Sequence, residues 1–271
     1  MTFDAFKFNS VLRLFAVGGG NVAAGGAVAE SRKRRWDDLN QALTSKRGDT
    51  SSCYSSIAWE SVKDVFNPVQ HLFVPIAVDS ECFALVMSYL KKVAHCVPNL
   101  DGKEAKRLMF ITPIMVAVSC MLEGVTIEVE EDLKGNLVKA NGRFEMMLVR
   151  GNQRVCIVEA KKEDMEQGKA QCLVGCEVAA ELDHLNVVHG VVTTYENWEL
   201  TRSTDDCILT DRFTLAMESR IPQEESLKNL VGKICGMLAA PPEAAKEDLS
   251  EMASERGGGG GSSGASSSDV P

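Results

Sequence analysis

The chain has no uninterrupted hydrophobic run long enough to cross a lipid bilayer. Its longest mostly apolar stretch, residues 108–122, contains Pro113 and falls short of the roughly 20 residues that a transmembrane helix needs. A shorter apolar segment at residues 11–17 is interrupted by Arg13, whereas a secretory leader carries its charge before an unbroken apolar run. We therefore expect no membrane association and no cleaved export signal.

Cysteine and histidine pairs with the spacing of zinc ligands are also missing. The nine cysteines are scattered and odd in number, which is typical of reduced thiols in an intracellular protein rather than of a disulfide framework. Cys172 and Cys176 stand four residues apart on a predicted helix, but no second Cys or His pair accompanies them. We expect these two to be small core residues and His184 and His189 to be structural.

Positive charge is scarce. The chain has 29 basic and 38 acidic side chains and a formal net charge of −9. This balance excludes binding of nucleic acid through a bulk positive surface. Its first 50 residues nevertheless carry eight basic and five acidic side chains, so the charge is uneven. A nucleic-acid site with locally positive charge stays compatible with the composition, because phosphate attraction is screened beyond about 8 Å at physiological salt.

Composition divides the chain into four parts. A length of 271 residues, 45% of them hydrophobic, allows one substantial folded domain. Residues 1–50 are predicted to be a flexible arm with a basic cluster, and residues 51–100 a helical buttress. Residues 101–240 are predicted to be the folded core. Residues 241–271, rich in glycine and serine, are predicted to be a disordered tail.

The arm contains four consecutive basic residues of the kind that nuclear import receptors bind. They are Arg32, Lys33, Arg34 and Arg35. In an accessible arm they would serve as an import signal, and the alternative is the solvated start of a short helix over residues 36–43. We therefore expect the protein to reside in the nucleus or the cytoplasm.

Hydrophobic periodicity predicts a helix, three strands, a second helix and two further strands in the core. The core helices cover residues 103–122 and 163–182, and the strands cover residues 125–130, 142–149, 153–161, 186–194 and 198–202. This pattern predicts an α/β (α+β) fold with a central mixed sheet flanked by helices, and an N-terminal helical extension at residues 56–65 and 80–93. Pro113 is expected to kink or split the first core helix.

Two carboxylates and a lysine converge at the end of the third predicted strand. Alternation along that strand places Glu159 and Lys161 on one face. Glu145 lies in the preceding strand and meets Glu159 across the ladder if the turn at residues 151–152 is tight. Burying such carboxylates is costly unless they are paired or bind a metal.

This arrangement suits metal-dependent phosphodiester hydrolysis. Mg²⁺, or Mn²⁺ in its place, takes one or two protein carboxylates and leaves positions for water and phosphate, so Glu145 and Glu159 are candidate metal ligands. Lys161 is the candidate for orienting the attacking water and stabilising charge in the transition state. The remaining candidate catalytic residues are Gln167 and Gln171, which would hold the lysine or the phosphate, and Glu104, which would contact a bound water or a second ion.

Each of these residues also has a simpler interpretation. In isolation, Glu159 and Lys161 could form an ordinary surface ion pair worth under about 1 kcal/mol. The two glutamines could be solvated helix residues, and Glu104 could be a partner of the helix dipole. The surrounding pattern of helices and strands favours chemistry for Glu159 and Lys161, and both interpretations stay open for Glu104, Gln167 and Gln171.

The order of these features resembles the PD-(D/E)XK nuclease superfamily. The resemblance lies in the helix with Glu104, the strand Gly142-Arg143-Phe144-Glu145, the strand Glu159-Ala160-Lys161 and the glutamine-bearing helix. It implies a restriction-endonuclease-like core and hydrolysis of nucleic acid, with DNA favoured over RNA. The superfamily more often has aspartate at the position of Glu145 and proline at the position of Phe144.

A narrower resemblance covers most of the chain and is to nuclease-like domains of the Crinkler type. It rests on residues 34–39 (RRWDDL), 102–107 (GKEAKR) and 158–168 (VEAKKEDMEQG). The translocation header of that family is absent apart from a fragment at residues 14–16. The resemblance implies a nucleus-directed effector that would act in the nucleus of a host cell. The alternative is a catalytically degenerate fold that binds nucleic acid or a nuclear protein.

Overall fold

The computed structural model describes residues 29–44, 51–97, 99–101 and 103–239. Residues 1–28 of the predicted arm and the predicted tail, residues 241–271, lie outside the described residues. The helices are α1 (Glu30–Thr44), α2 (Trp59–Phe66), α3 (Ser80–Cys96), α4 (Glu104–Met121), α5 (Met165–Asp183) and α6 (Glu224–Ala239). The strands are β1 (Ser52–Cys53), β2 (Val69–Gln70), β3 (Val125–Lys134), β4 (Ala140–Arg150), β5 (Gln153–Ala160), β6 (Val187–Thr193), β7 (Asn197–Thr204), β8 (Ile208–Thr214), β9 (Met217–Glu218) and β10 (Ile221–Pro222).

A mixed sheet lies at the centre of the fold. Its strands follow the order β1-β4-β5-β6-β7-β8-β2, and β3 also pairs with β4. The pairs β3–β4, β4–β5, β6–β7 and β7–β8 are antiparallel, whereas β5 and β6 are parallel and are connected through α5. The short edge strands β1 and β2 run parallel to β4 and β8. The sheet and its flanking helices confirm the predicted fold class and the predicted order of core elements.

Helices cover both faces of the sheet and divide the core into two clusters. α3, α4 and α6 pack on one face, together with Val158 and Ala160 of β5. α1, α2 and α5 pack on the other face, together with Ile157. Because strand side chains alternate between faces, Glu159 lies on the same face as Ile157. The candidate residues of β5 therefore lie beneath α5.

α4 is continuous from Glu104 to Met121 although it contains Pro113. Ile111, Met115 and Val118 of the predicted apolar stripe are fully buried. Fully burying such a side chain contributes about 1.5–3 kcal/mol, so together the three outweigh the roughly 3 kcal/mol that an interior proline costs. The expected split of this helix is therefore wrong, because tertiary packing overrides the local penalty.

α5 approaches the sheet closely because glycines face it. A Cβ atom on Gly168 would lie 2.8 Å from Lys161 Cγ, and one on Gly175 would overlap the ring of Phe144. Side chains at these two positions would push the helix away from the strands. The glycines therefore allow close packing on the sheet, and the helix spans Met165–Asp183 rather than the predicted residues 163–182.

Cys172, Cys176, His184 and His189 behave as core or structural residues. All nine cysteines are free thiols, and Cys172 and Cys176 are buried in α5, as predicted. Burial lowers the pKa of His189 to about 3, and its Nδ1 lies 3.2 Å from Val155 O. His184 ends α5 in the left-handed conformation, with φ at +54°. Both histidines are thus explained by packing or backbone geometry.

α1 buries half of the basic cluster and ties it to α5. Arg32 Nε lies 3.1 Å from Glu177 Oε2, and Arg35 Nη1 lies 2.9 Å from Glu177 Oε1. These two arginines are at most 9% exposed, whereas Lys33 and Arg34 are exposed. The expected accessibility of the cluster to an import receptor is therefore wrong for Arg32 and Arg35. A fully buried carboxylate needs cationic partners, and these arginines supply them.

Glu177 is held in its charged form at this contact. Burial alone would raise its pKa, but Arg32 and Arg35 outweigh burial, with hydrogen bonds from Ser203 and Trp36, and lower the pKa. Ser203 Oγ lies 2.6 Å and Trp36 Nε1 lies 2.8 Å from the carboxylate oxygens. The start of α1 is thus an integral part of the described fold.

Several elements lie outside the predicted pattern. β8 and α6 extend the fold beyond the last predicted strand, and the helix predicted at residues 56–65 begins at Trp59, after a 3₁₀ turn at Tyr54–Ser56. The edge strands β1 and β2 have two residues each, too few for a periodic signal. Within the described ranges, the helices are all too short or too polar to span a bilayer.

Candidate active site

The β4–β5 hairpin brings Glu145 beside Glu159. A two-residue turn connects the strands, and Gly151 in that turn has a φ of +62°. Met146 pairs with Val158, so the next position along the register places Glu145 opposite Glu159. Glu145 Oε2 also accepts a hydrogen bond from the main-chain N–H of Ala160 at 3.3 Å. The tight turn is confirmed, and a register shift between Leu148 and Val149 is what places Glu145 opposite Glu159.

Glu159 is a buried carboxyl group with one oxygen paired and the other unpaired. Its Oε1 lies 2.6 Å from Lys161 Nζ, and the two side chains are only 5% and 11% exposed. Glu159 Oε2 is buried without a hydrogen-bond partner among the described residues. Burial, followed by the negative charge of the neighbouring Glu145, raises the pKa of Glu159 to about 9 despite the opposing effect of Lys161. Without a cation in the site, Glu159 therefore takes up a proton more readily than an exposed carboxyl group does.

Lys161 keeps its positive charge although it is buried. Burial would lower its pKa, but the attraction of Glu159, then Glu145 and Glu104, outweighs burial and raises the pKa. The alkyl chain of Lys161 passes against Gly168, and its main-chain N–H donates to Thr193 O at 2.8 Å. The ammonium is thus held at a defined place by both its stem and its main chain.

Glu104 joins the same group from the first turn of α4. Its Oε1 accepts a hydrogen bond from the main-chain N–H of Lys162 at 3.3 Å, and its charge acts on Lys161. Glu145, Glu159 and Glu104 therefore come from three different elements to surround one ammonium. The structure brings these four predicted residues together.

Gln167 and Gln171 contact a different part of the structure. Gln167 Nε2 donates to Ser55 O at 2.9 Å, and Gln171 Nε2 donates to Tyr54 O at 3.0 Å. The two amides therefore hold the 3₁₀ turn against the start of α5. Within the described residues they make no hydrogen bond to Lys161, so any contact with substrate stays a prediction.

The donor set fits a hard divalent cation better than a soft one. In the described ranges, no group of three or more His, Cys, Asp or Glu side chains is arranged to hold a metal ion. Mg²⁺, however, is commonly held by one or two carboxylates and completes its shell with water and substrate. Glu145 and the unpaired oxygen of Glu159 match that requirement. A bound cation would compete with the proton that Glu159 otherwise takes up.

The chain is similar to one curated effector protein. It is 35% identical over 218 residues to Crinkler effector protein 5 of Phytophthora infestans, and the match covers 77% of this chain and 62% of that protein. This similarity confirms the resemblance to Crinkler proteins. The chain spans less than two thirds of the length of this relative. No model of a known protein family matches the chain.

Among solved structures, the chain is similar to part of the cryo-EM structure of the DrdV–DNA complex. The similarity has a TM-score of 0.41 and 12% sequence identity, and it covers 65% of this chain and 16% of the other. At that score the likeness does not decide the fold, which the strand order and the two-sided helix packing define directly.

The sequence patterns did not reveal another buried ion pair, between Lys169 and Glu199. Lys169 Nζ lies 3.0 Å from Glu199 Oε1, and their side chains are 6% and 5% exposed. Lys169 also lies over the ring of Trp59, with 4.4 Å between its Nζ and the ring centroid. Lys169 and Glu199 are 30 positions apart in the sequence, so no local spacing relates them. The sequence signal that could have revealed this pair is the position of Lys169, a charged residue on the face of α5 that carries Gly168 and Cys172.

Proposed function

We propose that this chain hydrolyses phosphodiester bonds in nucleic acid, with DNA favoured, and that it requires Mg²⁺ or Mn²⁺. The observation that carries the proposal is Glu159, whose buried Oε1 is paired with Lys161 while its buried Oε2 has no partner among the described residues. An unpaired buried carboxylate oxygen is costly, and it is expected where an absent cation completes the site.

Each residue has a separate task in the proposed reaction. A bound Mg²⁺ supplies electrostatic stabilisation of the phosphate charge, with Glu145 and Glu159 as its protein ligands. Lys161 orients the attacking water and donates to the oxygen on which charge develops. Glu104 holds the Lys162 N–H and so orients the segment that follows β5.

The biological setting proposed here rests on the similarity to a Crinkler effector protein. We propose that the chain acts as an effector on nucleic acid inside the nucleus of a host cell. The exposed Lys33 and Arg34 are the members of the basic cluster still open to an import receptor.

A catalytically degenerate binding module is the second candidate. The observation that favours it is Glu145 itself, which stands where the superfamily more often has aspartate. Phe144 supports it as well. This fully buried residue precedes Glu145, at a position where the superfamily more often has proline. Such a module would bind nucleic acid or a nuclear protein without hydrolysing it.

Cleavage of supercoiled plasmid DNA with and without Mg²⁺ tests the proposal. The wild-type chain should nick the plasmid only with the metal, and Glu159→Ala should lose this activity. Glu163→Ala is the matched control, because Glu163 follows β5 in the same segment but has a side chain that is 76% exposed. Undiminished cleavage by Glu159→Ala would refute the assignment. Calorimetric titration with Mn²⁺ separates the second candidate, which would bind DNA but no metal.

A further inference from the structure

A buried network of charges lies on the same face of the sheet as the candidate active site. Glu199 of β7 has both oxygens engaged: Oε1 lies 3.0 Å from Lys169 Nζ, and Oε2 accepts from Arg212 Nε at 3.0 Å. Thr210 Oγ1 donates to the same carboxylate at 3.2 Å. One buried anion thus has two cationic partners.

The network is aligned with Glu159 across the strands. Glu159 pairs in register with Val192 of β6, Val192 with Glu199 of β7, and Glu199 with Arg212 of β8. Neighbouring strands lie about 4.8 Å apart, so three steps place Arg212 about 14 Å from Glu159 at the backbone. A straight path along this end of the sheet therefore leads from the candidate active site to Arg212.

Arg212 is the exposed end of this network. Its side chain is 60% exposed, while that of Glu199 is 5% exposed. The Nε atom is bound to Glu199, but its Nη atoms make no hydrogen bond to another residue in the described ranges. Glu166 is the other charged neighbour, with 4.0 Å between its Oε1 and Arg212 Nη2. The terminal nitrogens of a fixed guanidinium are therefore available to an outside acceptor.

A stabilising role alone explains this network poorly. Burying an ion pair costs several kcal/mol of desolvation, which the attraction between the charges often only offsets. The arrangement instead holds a guanidinium in one orientation, and a pre-oriented guanidinium binds phosphate through two parallel hydrogen bonds. In a chain with a net charge of −9, such a local cation is what binding of a phosphate backbone requires.

We infer that Arg212 binds a backbone phosphate of the nucleic acid, at a distance from the cleaved bond, and that Glu199 and Lys169 position it. The inference rests on the nucleic-acid substrate of the proposed function, but it requires binding only and no catalysis. A separation of about 14 Å corresponds to about four base pairs along the axis of B-form DNA, at about 3.4 Å per base pair.

Fluorescence anisotropy with a labelled DNA duplex, measured without divalent metal so that no cleavage occurs, tests the inference. Arg212→Gln should weaken binding roughly tenfold and reduce the slope of log K against log[salt] by about 0.9, the value for one lost phosphate contact. Lys228→Gln is the matched control, because Lys228 is a cation with a 43% exposed side chain, is likewise paired with a carboxylate, Glu225, and belongs to α6 on the opposite face of the sheet. It should leave both quantities unchanged.

Single methylphosphonate substitutions along the duplex locate the contact. One position should weaken binding of the wild-type chain and have no effect on Arg212→Gln. Equal affinity and salt slope for Arg212→Gln and the wild type, equal losses in Arg212→Gln and Lys228→Gln, or no binding of DNA by the wild type would each overturn the inference. Binding with the expected Arg212 dependence but without cleavage would leave the inference standing and refute only the proposed hydrolysis.

Discussion

Lys161 Nζ lies 2.6 Å from Glu159 Oε1, and both groups are buried on the face of the sheet that α5 covers. This pair couples the charge of the lysine to the protonation of the carboxyl group, because each stabilises the charged form of the other.

Replacing Lys161 with methionine should lower the cleavage rate without unfolding the chain. Lys161→Met keeps most of the apolar stem against Gly168, and Glu159 can take up a proton when the ammonium is gone, so the chain should fold and still bind Mn²⁺. The cleavage rate should fall by about 10²–10³, as for loss of one transition-state donor. Lys162→Met, an exposed neighbour, should keep its rate. If Lys162→Met loses activity while Lys161→Met keeps it, the assignment of the lysine is wrong.

The stability of the metal-free chain should fall as pH rises. Glu159 has a pKa of about 9 in the folded chain and 4.5 as the reference value, so the folded state binds the proton more tightly than the unfolded state. The contribution of Glu159 to the free energy of unfolding is complete below about pH 4.5 and is lost as pH rises toward 9. Thermal unfolding at several pH values should show this loss in the wild type but not in Glu159→Gln. Added Mg²⁺ should reduce it, and an identical pH profile for Glu159→Gln would contradict the assignment.

The two halves of the basic cluster should differ in their effect on stability. Arg32→Ala or Arg35→Ala leaves Glu177 buried with one cation fewer, and breaking a buried pair in this way costs about 3–5 kcal/mol. Lys33→Ala and Arg34→Ala are exposed changes and should stay within about 0.5 kcal/mol. Urea denaturation of the four single variants measures the difference. Equal stabilities across all four would show that α1 does not depend on Glu177.

Only the exposed half of this cluster can be tested as an import signal without disturbing the fold. The double variant Lys33→Ala/Arg34→Ala should fold normally. If a fluorescent fusion too large for passive entry remains nuclear with this change, Lys33 and Arg34 are not the signal.

Two glycines of α5 should have different consequences when changed to alanine. Both variants should lose about 1–3 kcal/mol of stability from overpacking. Gly168→Ala places a methyl group against the stem of Lys161 and should also lower the cleavage rate, whereas Gly175→Ala meets Phe144 instead. Cleavage rates corrected for the folded fraction distinguish the two. A corrected rate for Gly168→Ala equal to that of Gly175→Ala would show that the position of Lys161 is not critical.

Local patterns were sufficient for the core elements and for the two site residues of β5. Alternation along β5 placed Glu159 and Lys161 on one face, and this short-range relation is contained in the sequence directly. The two-residue turn alone would set Glu145 opposite Val158, and a register shift between Leu148 and Val149 moves it opposite Glu159, so only the structure decided that pairing. Glu104 was harder to place, because its contact with Lys162 depends on how α4 packs on the sheet.

The sequence by itself determined the order of helices and strands and the face on which the acidic and basic residues of β5 emerge. Both follow from periods of 3.6 and 2 residues that operate within one element. Only the tertiary structure decided that Arg32 and Arg35 are buried on Glu177, that the glutamines of α5 hold Tyr54–Ser56, and that Glu199 holds Arg212. The physical reason is that a buried charge must find its partner across space, and the packing of distant elements decides which partner it meets.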